Sequence, residues 1–425
     1  MSDTKAFTNI RSLLGGLARA MNLVNHNMEN HHERTAYFAY FIAREMKLSM
    51  EDTDLVIYAA LLHDIGSIIQ EKELTVQEIE QSARKYAEIG ANMISDLPEY
   101  TEISKIIASC QTSWRCLKQM VENNPGKMKY ARLASIVHLS DVAVSCIMED
   151  QRILNQVDNI CRVIEYGRGS EFNEEAVDAF LTMRNLELVW LDVMHNPYFL
   201  GFFIGEVSEV SLQDVRVLTK LMSRIIDYRS SFTAMHSAGV AASTRELAVK
   251  CGMSEDDCIK IEIAGYLHDV GKLVVPGEIL EKPGKLTDEE FNVVKEHAYY
   301  TRLVLMDIDG FEDIANWAGY HHEKLNGNGY PFHLKEEQLD LGSKIMAVAD
   351  IFSALTETRP YRAGMEKDQV IKIMREDAAR GDISGEIVEI LIRNYEEIDS
   401  IRDQKSKEAG ARYFASLGTL QKHGE

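Results

Sequence analysis

The chain has 425 residues, more than one hydrophobic core usually organises, so at least two domains are expected. Apolar residues make up 45% of the chain and charged residues 27%, the balance of an ordinary globular protein. The formal net charge of −21 would repel the phosphate backbone of DNA or RNA and an anionic lipid surface. These values argue against a nucleic-acid polymer or a membrane as partner, but a few local cations could still bind a small phosphorylated ligand.

Targeting signals are absent from the sequence as given, and a cytoplasmic location is expected. The first residues lack the apolar stretch of a signal peptide. The six cysteines form no CxxC pair and are expected to be reduced thiols without a zinc or disulfide role. The most apolar segment, residues 181–205, is interrupted by charged side chains and predicts a buried helix and turn, not a membrane span.

The first half contains a histidine–aspartate pair, His63-Asp64, within the apolar string LLHDIGSII. His31 lies 32 positions before His63, and Asp141 follows in the apolar segment VHLSDVAV. Two imidazoles and two carboxylates in this order are a candidate metal-binding set.

The second half repeats this pattern. His268-Asp269 lies in YLHDVGKLV, His236 precedes His268 by 32 positions, and Asp350 follows in MAVADIF. Two copies of one helical unit would explain the length of the chain. The string GEVSEVS at 205–211 introduces Gly, Ser and acidic residues, so we place the domains at 1–208 and 209–400, followed by a polar tail at 401–425.

Helical spacing of apolar residues dominates the sequence, and no run of alternating strands is found. One apolar stripe lies between Ser211 and Tyr228. Another helix is predicted to begin at Thr287, where T-D-E-E offers a capping box with Glu290. The predicted fold class is therefore all-α, with two tandem helical domains.

Further histidines in the second half set it apart from the first. Beyond the repeated set, His297 and the pair His321-His322 supply three more imidazoles, enough for a second ion that shares Asp269 as a bridge. Any one of these histidines alone would more often be a surface or core residue; their joint order is what favours a metal centre.

The dyad His268-Asp269 with Lys272 and the string HHEKLNGNGYP at 321–331 resemble the HD-GYP family of the HD phosphohydrolase superfamily. The resemblance extends from about Thr233 to Arg362, and its HHE…GYP string is the most specific part. It implies a helical domain whose iron or manganese ions hydrolyse cyclic dinucleotides, usually cyclic di-GMP, to a linear product such as pGpG and further to GMP.

The family's ligands carry over by position. The resemblance implies that the first ion is bound by His236, His268, Asp269 and Asp350, and the second by Asp269, His297, His321 and His322. It also implies catalytic roles for Asp269 and Lys272, and phosphate contacts for Lys272, Arg359 and Arg362. Lys272 would share a helical face with His268 and Asp269. For the two arginines the alternative is a solvated charge at a helix end, and the phosphate role is favoured.

Two departures from the family's pattern are visible. Some members have an acidic residue four positions before the first histidine that supports a third metal; Phe232 stands there, so two ions are expected and a third is not. Asn326 replaces the aspartate that is common before Gly-x-Gly-Tyr-Pro, which leaves substrate detail open. Gly327 and Gly329 are expected to supply backbone conformations closed to other residues.

The N-terminal copy keeps His31, His63, Asp64 and Asp141 and has lost the rest. By spacing, Tyr86 stands at the position of His297, Cys110-Gln111 at that of His321-His322, and Ser67 at that of Lys272. The favoured interpretation is a degenerate scaffold for dimerisation or ligand sensing with a vestigial metal site. A single-metal hydrolase and a hydrogen-bonded pair in the core are the alternatives.

Several functions remain open on the sequence alone. Hydrolysis of cyclic di-GMP is the first hypothesis, and hydrolysis of 3′,3′-cGAMP is the nearest alternative, since both substrates present the same phosphodiester. A non-catalytic receptor for a cyclic dinucleotide would be expected to lose ligands, which this chain has not. A di-iron oxygenase is a further alternative, which the GYP string disfavours.

Overall fold

The computed structural model describes residues 6–23, 30–69, 76–95, 100–122, 124–195, 209–227, 231–280, 282, 284–357 and 364–422. Within these residues the chain is almost entirely helical, which confirms the all-α class. The only strands in this part are β1 (Ala6–Asn9) and β2 (Glu209–Ser211), which pair antiparallel with Thr8 opposite Val210.

The chain divides into two compact units, one of Leu17–Ser208 and one of Met1–Gly16 together with Glu209–Glu425. The first sixteen residues thus group with the C-terminal unit. There the Asn9 side chain donates to the Asp309 carboxylate at 3.0 Å, and the Phe7 and Phe311 rings lie 6.0 Å apart.

The helices of the first half are α1 (Ile10–Asn22), α2 (His31–Glu45), α3 (Met50–Leu62), α4 (Val76–Ser95), α5 (Thr101–Ile107), α6 (Trp114–Glu122), α7 (Met128–Ser145), α8 (Val157–Tyr166), α9 (Glu174–Thr182) and α10 (Glu187–His195). A 3₁₀ turn, Ile65–Ile69, follows α3. The core of this unit includes Phe38, Phe180 and Trp190, whose rings contact one another and are fully buried.

The helices of the C-terminal unit are α11 (Leu212–Asp227), α12 (Ser231–Lys250), α13 (Glu255–Leu267), α14 (Gly277–Leu280), α15 (Asp288–Met306), α16 (Glu312–Gly319), α17 (Leu341–Thr356), α18 (Lys367–Ala379), α19 (Gly385–Arg393) and α20 (Tyr395–Lys422). A 3₁₀ turn, Val270–Val274, follows α13. The range of α11 confirms the helix predicted between Ser211 and Tyr228.

Side-chain caps define where several helices begin. The predicted capping box at Thr287 is present, because the Thr287 hydroxyl accepts from the Glu290 amide and the Glu290 carboxylate accepts from the Thr287 amide. The Ser254 hydroxyl accepts from the Asp257 amide at the start of α13, and the Asp340 carboxylate accepts from the Ser343 amide at the start of α17. These caps fix the start of three helices that carry or precede the site residues.

No described helix is long and apolar enough to cross a membrane. Residues 196–205 of the apolar segment lie outside the described part of the chain. The described portion of that segment forms the end of α9, a short 3₁₀ turn and α10. All six cysteines are free.

Candidate metal centre

Three helices of the C-terminal unit bring the first predicted ligand set together. His236 lies on α12, Asp350 lies on α17, and His268-Asp269 directly follows α13. The Asp350 carboxylate lies 3.1 Å from His236 Nε2 and 3.8 Å from His268 Nε2, and His268 Nε2 lies 3.3 Å from the Asp269 carboxylate. All four residues are buried.

The second predicted set lies beside the first. His297 comes from the middle of α15, and His321-His322 follow the end of α16. The ligand atoms of these three histidines lie within 4.8 Å of one another. The other Asp269 oxygen lies 3.6 Å from His297 Nε2, so the Asp269 carboxylate faces both sets. The structure therefore brings all seven predicted ligands into one cluster.

Backbone hydrogen bonds fix which nitrogen of the rings carries the proton. Nδ1 of His268, His297 and His321 lies 2.8, 2.5 and 2.5 Å from the carbonyl oxygen three residues earlier in the chain. A carbonyl oxygen only accepts, so each ring must donate from Nδ1. Each Nε2 is thus left as a lone-pair donor aimed into the cluster, the arrangement expected of a metal-binding histidine.

Two of these lone pairs face each other. His297 Nε2 and His321 Nε2 lie 3.3 Å apart. Burial lowers the pKa of His297 to about 3 and holds that of His321 well below its ordinary value, so both rings are neutral near pH 7. Lone pairs at this distance repel unless a cation lies between them. Together with the nearby carboxylates, this donor set fits a divalent transition metal such as iron or manganese.

The two carboxylates are held in the ionised form. Burial by itself would raise the pKa of Asp269, but the electrostatic effect of the neighbouring His268 and Lys272 side chains outweighs it and holds the pKa well below its usual range. Burial acts in the same way on Asp350, whose pKa is lowered by the hydrogen bond and charge of His236. Ionised carboxylates are the form that binds a metal ion.

Lys272 contacts Asp269, but not along a helical face. Helix α13 ends at Leu267, and Lys272 lies in the following 3₁₀ turn, so the expectation of a shared helical face was wrong. The contact forms across the turn, where Lys272 Nζ lies 2.6 Å from Asp269 Oδ2. The ammonium group therefore lies at the edge of the cluster, one carboxylate away from the histidines.

A glycine and a threonine fit this turn tightly against α15. A Cβ atom at Gly271 would lie 1.9 Å from the His297 carbonyl oxygen, so no larger residue fits. The Gly271 amide donates to Thr301 Oγ1 at 2.9 Å, and that hydroxyl donates to the His268 carbonyl at 2.9 Å. The glycine of the HDxGK string thus lets the two ligand sets approach each other.

The loop at 321–334 is tied to the site by Glu323, to which the sequence had assigned no role. The buried Glu323 carboxylate accepts from the Phe332 and Leu334 amides at 2.7 and 2.8 Å. The Tyr330 ring lies 4.8 Å from that of His322. In the sequence, Glu323 is the glutamate of the HHE string and directly follows the predicted ligands His321 and His322, which was a signal for its role.

The two loop glycines are required for different reasons. Gly327 has φ +79°, in the left-handed region that favours glycine, as expected. Gly329 needs no such conformation; a Cβ atom there would lie 2.4 Å from the Lys324 amide nitrogen. Packing against the backbone, not conformational freedom, excludes other residues at Gly329.

Glu357 is a further site residue that the sequence did not single out. Its buried carboxylate lies 3.4 Å from His236 Nδ1, on the opposite side of the ring from Asp350. Burial by itself would lower the pKa of His236, but Asp350 and Glu357 outweigh it and raise the pKa to about 9. The only sequence signal was an acidic residue seven positions after the last ligand.

Three predicted residues cannot be placed. Arg359 and Arg362 lie outside the described residues. Phe232 belongs to α12, one turn before His236, but its side chain also lies outside the described part.

The N-terminal unit assembles a smaller version of the cluster. The structure brings together His31 from α2, His63-Asp64 after α3, and Asp141 from α7. A Cβ atom at Gly66 would lie 2.0 Å from the Tyr86 carbonyl oxygen, the relation that Gly271 has to His297. This confirms that Tyr86 occupies the position of His297, as the spacing predicted.

Two segments of the chain match family models described as an HD domain, residues 28–143 and 220–387. A 3′3′-cGAMP-specific phosphodiesterase 1 of Vibrio cholerae is 30% identical over 406 residues, which is 91% of this chain and 92% of that protein. A cyclic di-GMP phosphodiesterase of Pseudomonas aeruginosa is 36% identical over 172 residues, 40% of this chain and 42% of that protein.

A crystal structure of a cyclic GMP-AMP-specific phosphodiesterase of Vibrio cholerae superposes with a TM-score of 0.59 over 92% of this chain and 98% of that one. At 23% identity this match supports the fold alone. The similarity over almost the full length of the first relative, the two HD-domain matches and the clustered histidines agree with one another. The chain belongs to the HD-GYP family of cyclic dinucleotide phosphodiesterases.

Proposed function

We propose that the C-terminal unit hydrolyses a phosphodiester of a cyclic dinucleotide, using two divalent ions, iron or manganese. His236, His268, Asp269 and Asp350 would bind one ion, and Asp269 with His297, His321 and His322 would bind the other. The observation that carries the proposal is the pair of neutral imidazole nitrogens, His297 Nε2 and His321 Nε2, that face each other at 3.3 Å beside a buried carboxylate.

Bound ions would supply Lewis acidity, activating water and polarising a phosphate oxygen. The residues of the chain have separate tasks. The backbone carbonyls that accept from Nδ1 of His268, His297 and His321 hold these rings in orientation. Lys272, whose ammonium lies at the edge of the cluster, would neutralise charge that develops on the phosphoryl oxygens. No serine or cysteine nucleophile is required.

The bounds 209–400 for the catalytic domain and 1–208 for a regulatory or dimerisation domain are part of this proposal. The tail at 401–425 would contribute no ligand. A homodimer formed through the N-terminal half is consistent with a domain that has lost the second ligand set.

The test of the proposed chemistry is Asp269→Ala. Because Asp269 faces both ligand sets, we expect this variant to lose turnover and bound metal together, as measured by product chromatography and by metal analysis of anaerobically purified protein. Asp368→Ala, which removes an exposed aspartate of the same unit, is the control and should retain both. Full activity in Asp269→Ala would refute the two-ion proposal. A metal-replete wild type that binds a cyclic dinucleotide without turnover would indicate a receptor.

A finer proposal concerns which two bases the cyclic dinucleotide substrate carries. Cyclic di-GMP was the first hypothesis from the sequence, and a relative named for that activity is similar over 40% of this chain. A relative that matches over almost the whole chain is named for 3′,3′-cGAMP. So is another relative, 44% identical over 154 residues. We therefore propose 3′,3′-cGAMP as the preferred substrate and cyclic di-GMP as the alternative. Parallel assays with manganese should give the higher kcat/KM for 3′,3′-cGAMP; the reverse order would overturn this preference.

A further inference from the structure

We propose that the N-terminal unit binds one divalent transition-metal ion through His31, His63, Asp64 and Asp141, and that it binds no second ion. This site would be intact, not vestigial. The proposal goes beyond the phosphodiesterase centre and does not depend on it, because it concerns a different unit and its test counts ions without measuring turnover.

The distances within this group closely match those of the first ligand set of the C-terminal unit. His31 Nε2 lies 3.1 Å from Asp141 Oδ1, as His236 does from Asp350. His63 Nε2 lies 3.3 Å from the Asp64 carboxylate, as His268 does from Asp269. The remaining contact, between the dyad histidine and the distant aspartate, is 3.6 Å here and 3.8 Å there.

The ring nitrogens are prepared for an ion. His63 Nδ1 donates to the Ala60 carbonyl at 2.8 Å, so its Nε2 is left to face the two carboxylates. His31 and His63 are buried residues. Their Nε2 atoms are also buried, and neither of these atoms makes a hydrogen bond. A buried nitrogen without a hydrogen-bond partner is costly, and an ion held between these nitrogens and the carboxylates would satisfy both at once.

Asp141 is oriented toward the histidines by a neighbour. Its Oδ2 accepts from the Gln111 side-chain amide at 2.9 Å, and its Oδ1 is the atom near His31 and His63. A donor that holds the outer oxygen of a ligating carboxylate is a common support of metal sites. The set of two imidazoles and two carboxylates suits manganese, iron, cobalt or zinc.

The same neighbour indicates that only one ion binds. By spacing, Gln111 stands at the position of His322, so a weakly ligating amide replaces an imidazole, and its NH₂ group donates to Asp141 at 2.9 Å. By spacing, Cys110 stands at the position of His321, and it is fully buried. Tyr86 replaces His297. The second ligand set is therefore missing.

The rival interpretation is a buried ion pair without metal, in which a protonated His63 neutralises the aspartates. An ion-count experiment on the full chain distinguishes the two. The background variant His268→Ala/His321→Ala removes ligands of both C-terminal ions. After chelation and reloading with Mn²⁺, we expect it to retain one ion per chain, with the six-line electron paramagnetic resonance spectrum of an isolated Mn²⁺. Adding His63→Ala should reduce the count to zero.

The matched control is His138→Gln in the same background. His138 is also buried on α7, but it pairs with Glu171 at 2.8 Å and is not one of the four proposed ligands, so the ion should remain. Asp141→Asn, which preserves size, should lose the ion as His63→Ala does, and circular dichroism checks that each variant folds. A background variant that binds no Mn²⁺, or an ion that persists in folded His63→Ala and Asp141→Asn, would overturn the proposal.

Discussion

At the scale of single residues, the chemistry of this site depends on which nitrogen of each histidine carries the proton. His268, His297 and His321 all donate from Nδ1 to a carbonyl three residues earlier. Because that bond is made within one turn of backbone, the orientation of the ring is set locally. What the sequence could not show is that the resulting lone pairs converge, since they come from α15 and from segments that follow α13 and α16.

Lys272 lies close enough to the cluster to act on a bound phosphate. We expect Lys272→Met to lower kcat by about 10²–10³-fold, the usual effect of removing one group that stabilises transition-state charge. Metal content should not fall, because Lys272 is not one of the seven proposed ligands. Steady-state kinetics with metal analysis would check this.

Lys282→Met is the control for loss of a lysine. Lys282 pairs with Glu290 at the start of α15 at 2.6 Å, so activity should be unchanged. If Lys272→Met kept full kcat, the ammonium group of Lys272 would only balance the charge of Asp269.

Glu357 positions a ligand and does not act on the substrate directly. Its carboxylate lies 3.4 Å from His236 Nδ1, the nitrogen that faces away from Asp350. Such outer partners of ligating histidines typically contribute 10- to 100-fold in metal affinity. We expect Glu357→Ala to weaken Mn²⁺ binding by about this factor, as measured by isothermal titration calorimetry.

Excess Mn²⁺ should restore most of the activity of Glu357→Ala, which would not happen if the residue contacted the substrate. Glu366→Ala, at an exposed position beyond the end of α17, serves as the comparison and should bind Mn²⁺ normally. Unchanged affinity in Glu357→Ala would show that the contact with His236 is incidental.

At the scale of elements, the turn after α13 decides whether the two ligand sets meet. The turn packs so closely on α15 that Gly271 touches the backbone of His297. We expect Gly271→Ala to force the turn away from α15 and to lower the free energy of unfolding by about 1–3 kcal/mol through overpacking. The variant should also lose the second ion. The thermal midpoint and the Mn²⁺ count per chain would both fall.

Gly277→Ala is a sharp control for this prediction, because a Cβ atom at Gly277 would meet nothing within 4 Å. It lies six positions later in the same segment and should leave both stability and metal content unchanged. If Gly271→Ala retained the full ion count, the turn would be more adaptable than its contacts indicate.

Local sequence signals were sufficient to predict some helices and not others. The capping box at Thr287 and the apolar stripe of α11 are local patterns, so both helices could be predicted from adjacent residues. The end of α13 at Leu267 was not predicted, because HDVGK carries no strong helix-stop signal. The close contact with α15, made through Gly271 and Thr301, is long-range in the chain.

At the scale of the whole molecule, ions should contribute to stability as well as to chemistry. Without them, the buried imidazole nitrogens His297 Nε2 and His321 Nε2 would face each other at 3.3 Å with no cation between them. Ligand binding to the folded state alone stabilises by about 2.7 kcal/mol when the free ion is at 100 times its Kd. We expect chelation to lower the melting midpoint by several degrees and Mn²⁺ to restore it, as followed by differential scanning calorimetry.

A triple variant, His268→Ala/His321→Ala/His63→Ala, gives the baseline for this experiment, since it lacks ligands of every proposed ion. Its melting midpoint should not respond to chelator or to Mn²⁺. A wild type whose midpoint is equally insensitive would contradict the expectation that the facing imidazole nitrogens need a cation between them.

The sequence by itself determined the class of fold, the two-fold repetition and the identity of all seven C-terminal candidate ligands, because these follow from helical periodicity and from residue types in a fixed order. Only the tertiary structure decided which lone pairs meet, that Glu357 supports His236, that Glu323 ties the loop, and that the first sixteen residues group with the C-terminal unit. Each of these depends on contacts between residues far apart in the chain. Such contacts are set by how helices pack, which local patterns do not encode.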